Sequence, residues 1–300
     1  MIWTTHAVGQ LSGTYSIDTS KSATTSNYKN LESAILDMEI GFRPDGGKTN
    51  GPAINGSVVF DLADGIYYTS IEINHILGSS NSNTVTFKSY GNDSSKVIIL
   101  DTFTLFPNNY TLKLNGADYF RFKHLTIARQ TNSTSGSCVV LSNGADSNIF
   151  EGCVFKASKT TIYGNPVACG LYDEGGSFIN DTVNIFRNNL FKYGYYGCYY
   201  LSNSSNSTGY NVFLNNTFDS SYNSGLYLYN QSNCQIVGNN ISNLRYSYGT
   251  GCFFSVINTH SVIKNNRINC VNGGFGMLLY YTTGIPNDTF YVINNEVIVR

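Results

Sequence analysis

The stretch Phe186-Arg187-Asn188-Asn189-Leu190-Phe191 decides the fold, because it returns. It reappears as Phe213-Leu214-Asn215-Asn216-Thr217-Phe218, as Val237-Gly238-Asn239-Asn240-Ile241, as Ile263-Lys264-Asn265-Asn266-Arg267-Ile268 and as Val292-Ile293-Asn294-Asn295-Glu296-Val297. A short motif at a recurring interval marks a chain built coil upon coil, each repeat stacking on the last to bury a face it cannot bury alone. Upstream, Lys123-His124-Leu125-Thr126-Ile127 and Glu151-Gly152-Cys153-Val154-Phe155 fit the same frame without asparagines. The closing residues are then Ile127, Phe155, Phe191, Phe218, Ser242, Ile268 and Val297, at steps of 24 to 36 residues. Ser242 breaks the apolar rule and marks a slipped or loose coil.

A second frame keeps phase with the first. It reads Gly170-Leu171-Tyr172, Gly197-Cys198-Tyr199, Gly225-Leu226-Tyr227, Gly251-Cys252-Phe253 and Gly276-Met277-Leu278, preceded by Ser137-Cys138-Val139. Two frames in phase require at least two strands per coil. Strand alternation puts Cys138, Leu171, Cys198, Leu226, Cys252 and Met277 on one face, which is uniformly apolar and points inward. Val139, Tyr172, Tyr199, Tyr227, Phe253 and Leu278 then point outward. No segment of these coils has helical periodicity, and the parallel β-helix is the architecture that stacks such coils. Equivalent residues then form ladders at about 4.8 Å spacing. Asparagines in register can pass side-chain hydrogen bonds along a ladder. The expected ladder is Asn189, Asn216, Asn240, Asn266 and Asn295, prefaced by Leu125 and Cys153.

The first hundred residues differ. Ser26 or Asn27 is positioned to cap a helix reaching about Met38, with Leu31, Ala34, Ile35 and Met38 on one face. The Pro- and Gly-rich stretch from Pro44 to Gly56 ends it. Strands are expected at Ser57–Leu62, Ile66–Ile73, Thr84–Lys88 and Val97–Leu100. Residues 1–56 read as an N-terminal extension with a capping helix and residues 57–300 as the β-helix. A helix over the first coil would cover a sheet edge that otherwise invites pairing.

Only 12% of residues are charged, about half the usual share. The net charge of -1 gives no electrostatic case for nucleic acid or anionic membrane. No run of apolar residues is long enough for a transmembrane helix. Met1-Ile2-Trp3-Thr4-Thr5-His6 lacks the basic and apolar regions of a signal peptide. The seven cysteines lack metal spacing. Cys138, Cys198 and Cys252 share a repeat position two or more rungs apart, about 10 Å and beyond disulfide reach, and read as small buried apolar residues.

Gly13-Thr14-Tyr15-Ser16-Ile17, the helix, Gly56-Ser57-Val58-Val59-Phe60 and Asp64-Gly65-Ile66-Tyr67 resemble the opening of secreted right-handed β-helix proteins. Ile76-Leu77-Gly78, Asn83-Thr84-Val85-Thr86-Phe87-Lys88-Ser89 and Val97-Ile98-Ile99-Leu100 continue the match. This opening is similar to that of large Bacteroidetes surface proteins that carry a C-terminal sorting domain. The later coils are similar to the pectin-lyase-like repeat superfamily. The resemblance spans roughly residues 11–297. It implies an all-β, single-stranded right-handed parallel β-helix with an N-terminal helical cap. It says little of activity, because that superfamily holds lyases, hydrolases, epimerases, adhesins and phage spikes. The Asn-Thr-Asp, Asp-Asp and Gly-His-Gly strings of polygalacturonase-like enzymes are missing, and Asn258-Thr259-His260 lacks the acid. The Asp-His and paired-Arg motifs of pectate lyases are missing too. The last motif closes at Val297, which leads us to expect a longer native chain or a partner over that end.

Tyr172, Tyr199, Tyr227 and Phe253 are the ligand-binding candidates: aromatics at rung spacing can offer faces to sugar rings. Aromatics also favour outward β positions and stack on each other without any ligand. Asp173 and Glu174 are the catalytic candidates. Asp173 falls in a column otherwise holding Val140, Tyr200, Leu228, Phe254 and Leu279, where a carboxylate would be desolvated. A bulge at Gly175-Gly176 could instead turn it to solvent. Arg187 and Lys192 could contact acidic sugars or be plain surface charges. Lys156, Lys192 and Asp219 share one repeat position and read as an exposed charge ladder. The four histidines, His6, His75, His124 and His260, show no ligand spacing, and nothing calls for a metal or cofactor. About eleven Asn-x-Ser/Thr sequons occur, near chance for this composition; Asn240 and the Asn215 sequon fall in the expected ladder and would be poor acceptors.

The sequence therefore points to a secreted or cell-surface structural or adhesive β-helix that binds neutral glycans through its Tyr column. The alternative is a polysaccharide lyase or glycoside hydrolase using Asp173 or Glu174. A bare spacer is the third reading.

Overall fold

The computed structural model describes residues 10–101, 109–130, 135–159, 168–175, 180–201, 209–255, 260–271, 274–280 and 289–300. Among them the strands form three parallel sheets of eleven, nine and eight strands, here A, B and C. Each coil visits them in that order. One coil runs Ile185–Arg187 in A, Leu190–Lys192 in B and Tyr196–Leu201 in C; the chain then rejoins A at Val212–Leu214. The coils thus carry three strands. The single strand expected over Ile66–Ile73 divides into Gly65–Tyr68 in B and Ile71–Asn74 in C. Sheet A reaches back past residue 57, since Leu11–Ile17 pairs with Ile54–Leu62 and with Asn27–Tyr28.

The bend from A to B takes two residues in every coil from Phe120–Lys123 onward, as with Asn188 and Asn189 between Arg187 and Leu190. Its first residue is left-handed: His124 (φ 52), Gly152 (63), Asn188 (56), Asn215 (54), Gly238 (67), Asn265 (56) and Asn294 (50). Glycine and asparagine suit that conformation. The second residue points inward. This corrects the expected ladder: Gly238 takes the left-handed position, so the third rung is Asn239, 1% exposed, and not Asn240, which is exposed. Ile241, paired with Phe218 and Ile268, is then the closing residue. Ser242 lies one position on, and its coil is in register. The stretch Gly238-Asn239-Asn240 offers two readings by eye, and only the backbone chooses.

The inner ladder amides, Asn216, Asn239 and Asn266, each bond four ways. Asn216 Oδ1 accepts the backbone N–H of Asn189 (3.0 Å) and its Nδ2 (3.0 Å), while Asn216 Nδ2 donates to Phe186 O (2.8 Å) and Asn239 Oδ1 (3.1 Å). The pattern repeats through Asn239, Asn266 and Asn295 and begins at the Cys153 N–H, donated to Asn189 Oδ1 (2.8 Å). Polar groups released by the bend are thereby satisfied without water.

A second ladder, not anticipated, lines the bend from C to A. Phe120 N–H donates to Asn148 Oδ1, Asn148 N–H to Asn184 Oδ1 and Asn184 N–H to Asn211 Oδ1, at 2.8–2.9 Å. Left-handed Ser147, Val183 and Tyr210 precede those asparagines. Both ladders obey one rule, Asn-x-apolar: Asn148-Ile149-Phe150 and Asn184-Ile185-Phe186 match Asn189-Leu190-Phe191. That shared triplet was the available signal.

Stacked aromatics fill the core. Phe87, Phe122, Phe150, Phe186 and Phe213 form a column with centroids 4.8–5.8 Å apart, and Phe155, Phe191 and Phe218 a second at 4.4 and 4.7 Å. Each such pair adds about 0.5–1.5 kcal/mol beyond area burial. The second column explains the glycines of the second frame. A Cβ on Gly170 would sit 2.9 Å from Phe191, one on Gly197 2.7 Å from Phe218, and one on Gly225 2.6 Å from Ile241. Sheet B presses its closing residues against the backbone of sheet C.

Cys138 belongs to this glycine column, since Val139 is the residue that pairs with Leu171. Cys138 thus does not share the position of Cys198 and Cys252, and Val140 and Leu141, not Val139 and Val140, stand below Tyr172 and Asp173. The sequence frame slipped by one because Ser137 took the place read as glycine. All seven cysteines are buried, and none is in a disulfide.

The helix is Leu31–Ile40, capped by the Asn30 side chain and ended by left-handed Gly41. Asn27 is not its cap: it pairs beside Ser16 in sheet A, and its amide bonds the Asp18 and Ser22 carbonyls. Leu31, Ala34, Ile35 and Met38 enter the core. Glu39 Oε1 accepts the Asn74 N–H (2.7 Å) on the first strand of sheet C. The helix thus docks against the edge where that sheet begins.

Candidate functional site

Connections into and out of sheet C vary in length, from two residues between Tyr68 and Ile71 upward. Residues 157–168 lead from Lys156 to Cys169, and residues 174–184 from Asp173 to Ile185, against two residues at the bend from A to B. Loops on a rigid scaffold are where binding groups are placed.

Pairing registers Val140, Tyr172, Tyr199, Tyr227, Phe253 and Leu278 as one outward column. The four predicted binding residues therefore come together. Tyr172 stacks on Tyr199 (5.8 Å, 7°), Tyr199 on Tyr227 (4.8 Å, 33°) and Tyr227 on Phe253 (4.4 Å, 10°). Tyr196, which sequence reading passed over, packs on both Tyr199 (4.9 Å) and Tyr227 (5.2 Å). It meets Tyr195, which leads to Tyr222 and Tyr246. The faces of the column rings are thus turned to one another. A molecule lying on this surface meets ring edges and hydroxyls rather than open ring faces. The rings are half-buried, and that burial pushes the Tyr172 and Tyr227 hydroxyls up to about 12, so they stay protonated donors at neutral pH.

At the foot of the column lies a polar cluster. Lys113 precedes Val140 in register, and its Nζ bonds Glu174 Oε2 at 3.0 Å. Tyr110 donates its hydroxyl to Glu72 Oε2 (3.0 Å), and Asn115 Nδ2 donates to Glu72 Oε1 (2.7 Å). Lys113 and Glu72 are invisible in the sequence because they belong to coils that lack the aromatic frame.

The two predicted acids part company. Glu174 has a 44% exposed side chain on the outer surface. Asp173 points inward and is fully buried, so no bulge turns it to solvent. Burial and the neighbouring Asp181 carboxyl push the Asp173 carboxyl well above the usual carboxylate range. Asp181 lies eight residues on and gave no sequence signal.

The other charged candidates lie elsewhere. Arg187 is in sheet A, bonded to Glu151 (3.0 Å), and Lys192 is in sheet B, 3.9 Å from Asp219. Lys156, Lys192 and Asp219 do form one column. Among the described residues no group of three or more His, Cys, Asp or Glu could hold a metal ion, and no helix is long and apolar enough to cross a membrane. His6 and Gly176 lie outside the described residues.

Among solved structures, a pectin methylesterase from Aspergillus niger superposes with TM-score 0.53 at 12% identity, over 96% of this chain and 87% of that one. The fold is the right-handed parallel β-helix. A mannuronic acid specific polysaccharide family 6 lyase from human gut microbiota gives TM-score 0.41 at 11% identity, over 96% of this chain and 83% of that one. No protein-family model and no curated sequence matches the chain. The β-helix scaffold is thus identified by shape, at 12% sequence identity.

Proposed function

We propose that this protein binds an extended neutral polysaccharide along the outward face of sheet C, outside the cell, where such polymers lie. The observation that carries this reading is the uncharged row Tyr172, Tyr199, Tyr227 and Phe253, one ring per coil. Rungs repeat at about 4.8 Å, which is close to the length of one linked sugar ring, so successive sugars can meet successive hydroxyls and ring edges. The partner chemistry is hydrogen bonding plus apolar contact, as suits a surface with little charge. The test is a glycan array with wild type and the Tyr199→Ala/Tyr227→Ala double variant. Loss of binding in the double variant supports the reading; unchanged binding removes the column from it.

A second reading is a polysaccharide lyase or glycoside hydrolase. The Lys113–Glu174 pair beside Tyr172 supports it, since an acid and a base on one surface are what such chemistry uses. The shared fold with a pectin methylesterase, itself an enzyme, favours this reading over a purely adhesive role. Here Glu174 is the group in reach of a ligand, and Asp173 is enclosed. A screen of acidic and neutral polysaccharides with product detection decides it, with Glu174→Gln and Asp173→Asn as controls. No turnover on any of them rules the enzyme out; turnover lost in Glu174→Gln alone assigns the acid. Neither binding nor turnover leaves a spacer.

A further inference from the structure

The buried acid Asp173 takes no part in the outward surface, yet its surroundings are specific. It stands where Leu141 stands one coil earlier and Tyr200 one coil later. Its Oδ1 accepts the Gly175 N–H (2.9 Å). Asp181 Oδ1 accepts the Ala145 N–H (2.5 Å) from the preceding coil. The Asp181 carbonyl accepts the Tyr200 hydroxyl (2.6 Å) from the following coil and Asn211 Nδ2 (3.3 Å). Asn184 Nδ2 in turn donates to the Tyr200 hydroxyl (3.1 Å). The two carboxyls act on each other electrostatically, and the Oδ2 of each is buried with no hydrogen-bond partner. Two carboxylates cannot both be ionised at such a place; one proton between them turns repulsion into a hydrogen bond.

We propose that Asp173 and Asp181 form a proton-dependent clamp that ties one corner of the solenoid to the coils before and after it. The clamp holds while the pair keeps a shared proton and loosens when that proton leaves. The surroundings pull both ways, and burial outweighs the Gly175, Leu201, Ala145 and Gly144 backbone groups that favour the charged forms. From the preceding coil comes Asp146, whose Oδ1 is taken by the Thr182 N–H and hydroxyl. From the same strand comes Tyr172, and just past its end Glu174, held by Lys113. From the following coil come Cys198 and the Tyr200 hydroxyl. Burial raises both acids, Asp181 to about 6 and Asp173 well above its ordinary value of 3.8. A raised carboxyl favours the neutral folded form, so its stabilisation is complete below about pH 4 and declines as pH rises. Asp181's share fades by about pH 6 and Asp173's persists above that. This is the reverse of ordinary acid denaturation, and it does not depend on whether the outer face binds sugar.

The test is native-state hydrogen exchange at the Ala145 and Gly175 amides from pH 5 to 9, corrected for intrinsic exchange chemistry. In wild type the opening constant should rise about tenfold per pH unit above pH 6 until Asp173 ionises. Asp173→Asn keeps an acceptor for Gly175 and gains a fixed donor toward Asp181. It should abolish that slope and leave both amides better protected than wild type at pH 8. A wild-type opening constant without slope, or a variant with the wild-type slope, overturns the clamp. So does a variant less protected at every pH, which would mean a purely structural bond. If Asp173→Asn does not fold, Asp181→Asn and the pH dependence of wild-type melting serve instead: a melting temperature that does not fall between pH 5 and 8 rejects the proposal.

Discussion

Asn239 and Asn240 are adjacent, chemically identical and energetically opposite. Truncating Asn239 to alanine removes Oδ1, the acceptor of the Asn216 N–H (2.9 Å) and Nδ2 (3.1 Å). It also removes Nδ2, the donor to Phe213 O (2.9 Å) and Asn266 Oδ1 (3.0 Å). Two of these partners have a second bond: Asn216 Nδ2 keeps Phe186 O, and Asn266 Oδ1 keeps the Asn239 N–H. The Asn216 N–H loses its acceptor and Phe213 O loses this donor, both inside a dry core. At about 1–3 kcal/mol for each of these two buried groups left unmade, Asn239→Ala should cost about 2–6 kcal/mol. Asn240 is exposed and its side chain points away from the ladder, so Asn240→Ala should stay within about 0.5 kcal/mol. Urea unfolding followed by far-UV circular dichroism measures both. Because coils of a solenoid can unfold in parts, hydrogen exchange at the Asn216 amide is the local check, with faster exchange expected only in Asn239→Ala. Equal losses, or a larger loss in Asn240→Ala, would refute the ladder frame and the bend rule with it.

Gly225→Ala should destabilise by roughly 1–3 kcal/mol through overpacking, since its Cβ would stand 2.6 Å from Ile241 Cγ2; in a denaturation double-mutant cycle with Ile241→Ala, which removes that Cγ2, the added cost of Gly225→Ala should shrink. In the cap, burial raises the Asp45 carboxyl, but the Arg43 hydrogen bond and the Lys29 and Gly47 N–H groups outweigh it and hold it below its usual range. Its stabilisation is therefore present above about pH 4 and lost as pH falls through the lowered value; Asp45→Asn should flatten the acid limb of a pH–melting curve. Asn30→Ala removes the helix cap to the Ser33 N–H (2.8 Å) and should cost about 1 kcal/mol, read by the same denaturation assay. Tyr199→Ala should loosen Tyr172, Tyr196 and Tyr227 together, which near-ultraviolet circular dichroism would register as loss of the tyrosine signal.

The repeating motif made the architecture legible because a stacked fold copies one local solution at every coil. The outward column of Tyr172, Tyr199, Tyr227 and Phe253 followed from strand alternation alone. The Asn148, Asn184 and Asn211 ladder stayed hidden because it is short: Cys234 and Ser261 take its next positions, although it keeps the same steps and the same Asn-x-apolar rule. The glycines of the second frame were visible, but their reason was not: it lies in sheet B, a different part of the coil.

What the sequence determined by itself was the coil, its inward and outward columns and the parallel β-helix they build, since those depend on local periodicity. What only the tertiary structure decided was register and company. Asn239 rather than Asn240 turns inward because one left-handed backbone position selects it. The Tyr column presents edges because neighbouring coils cover the ring faces. Asp173 meets Asp181, and Glu174 meets Lys113 from a distant coil, because stacking brings together residues that no local pattern connects.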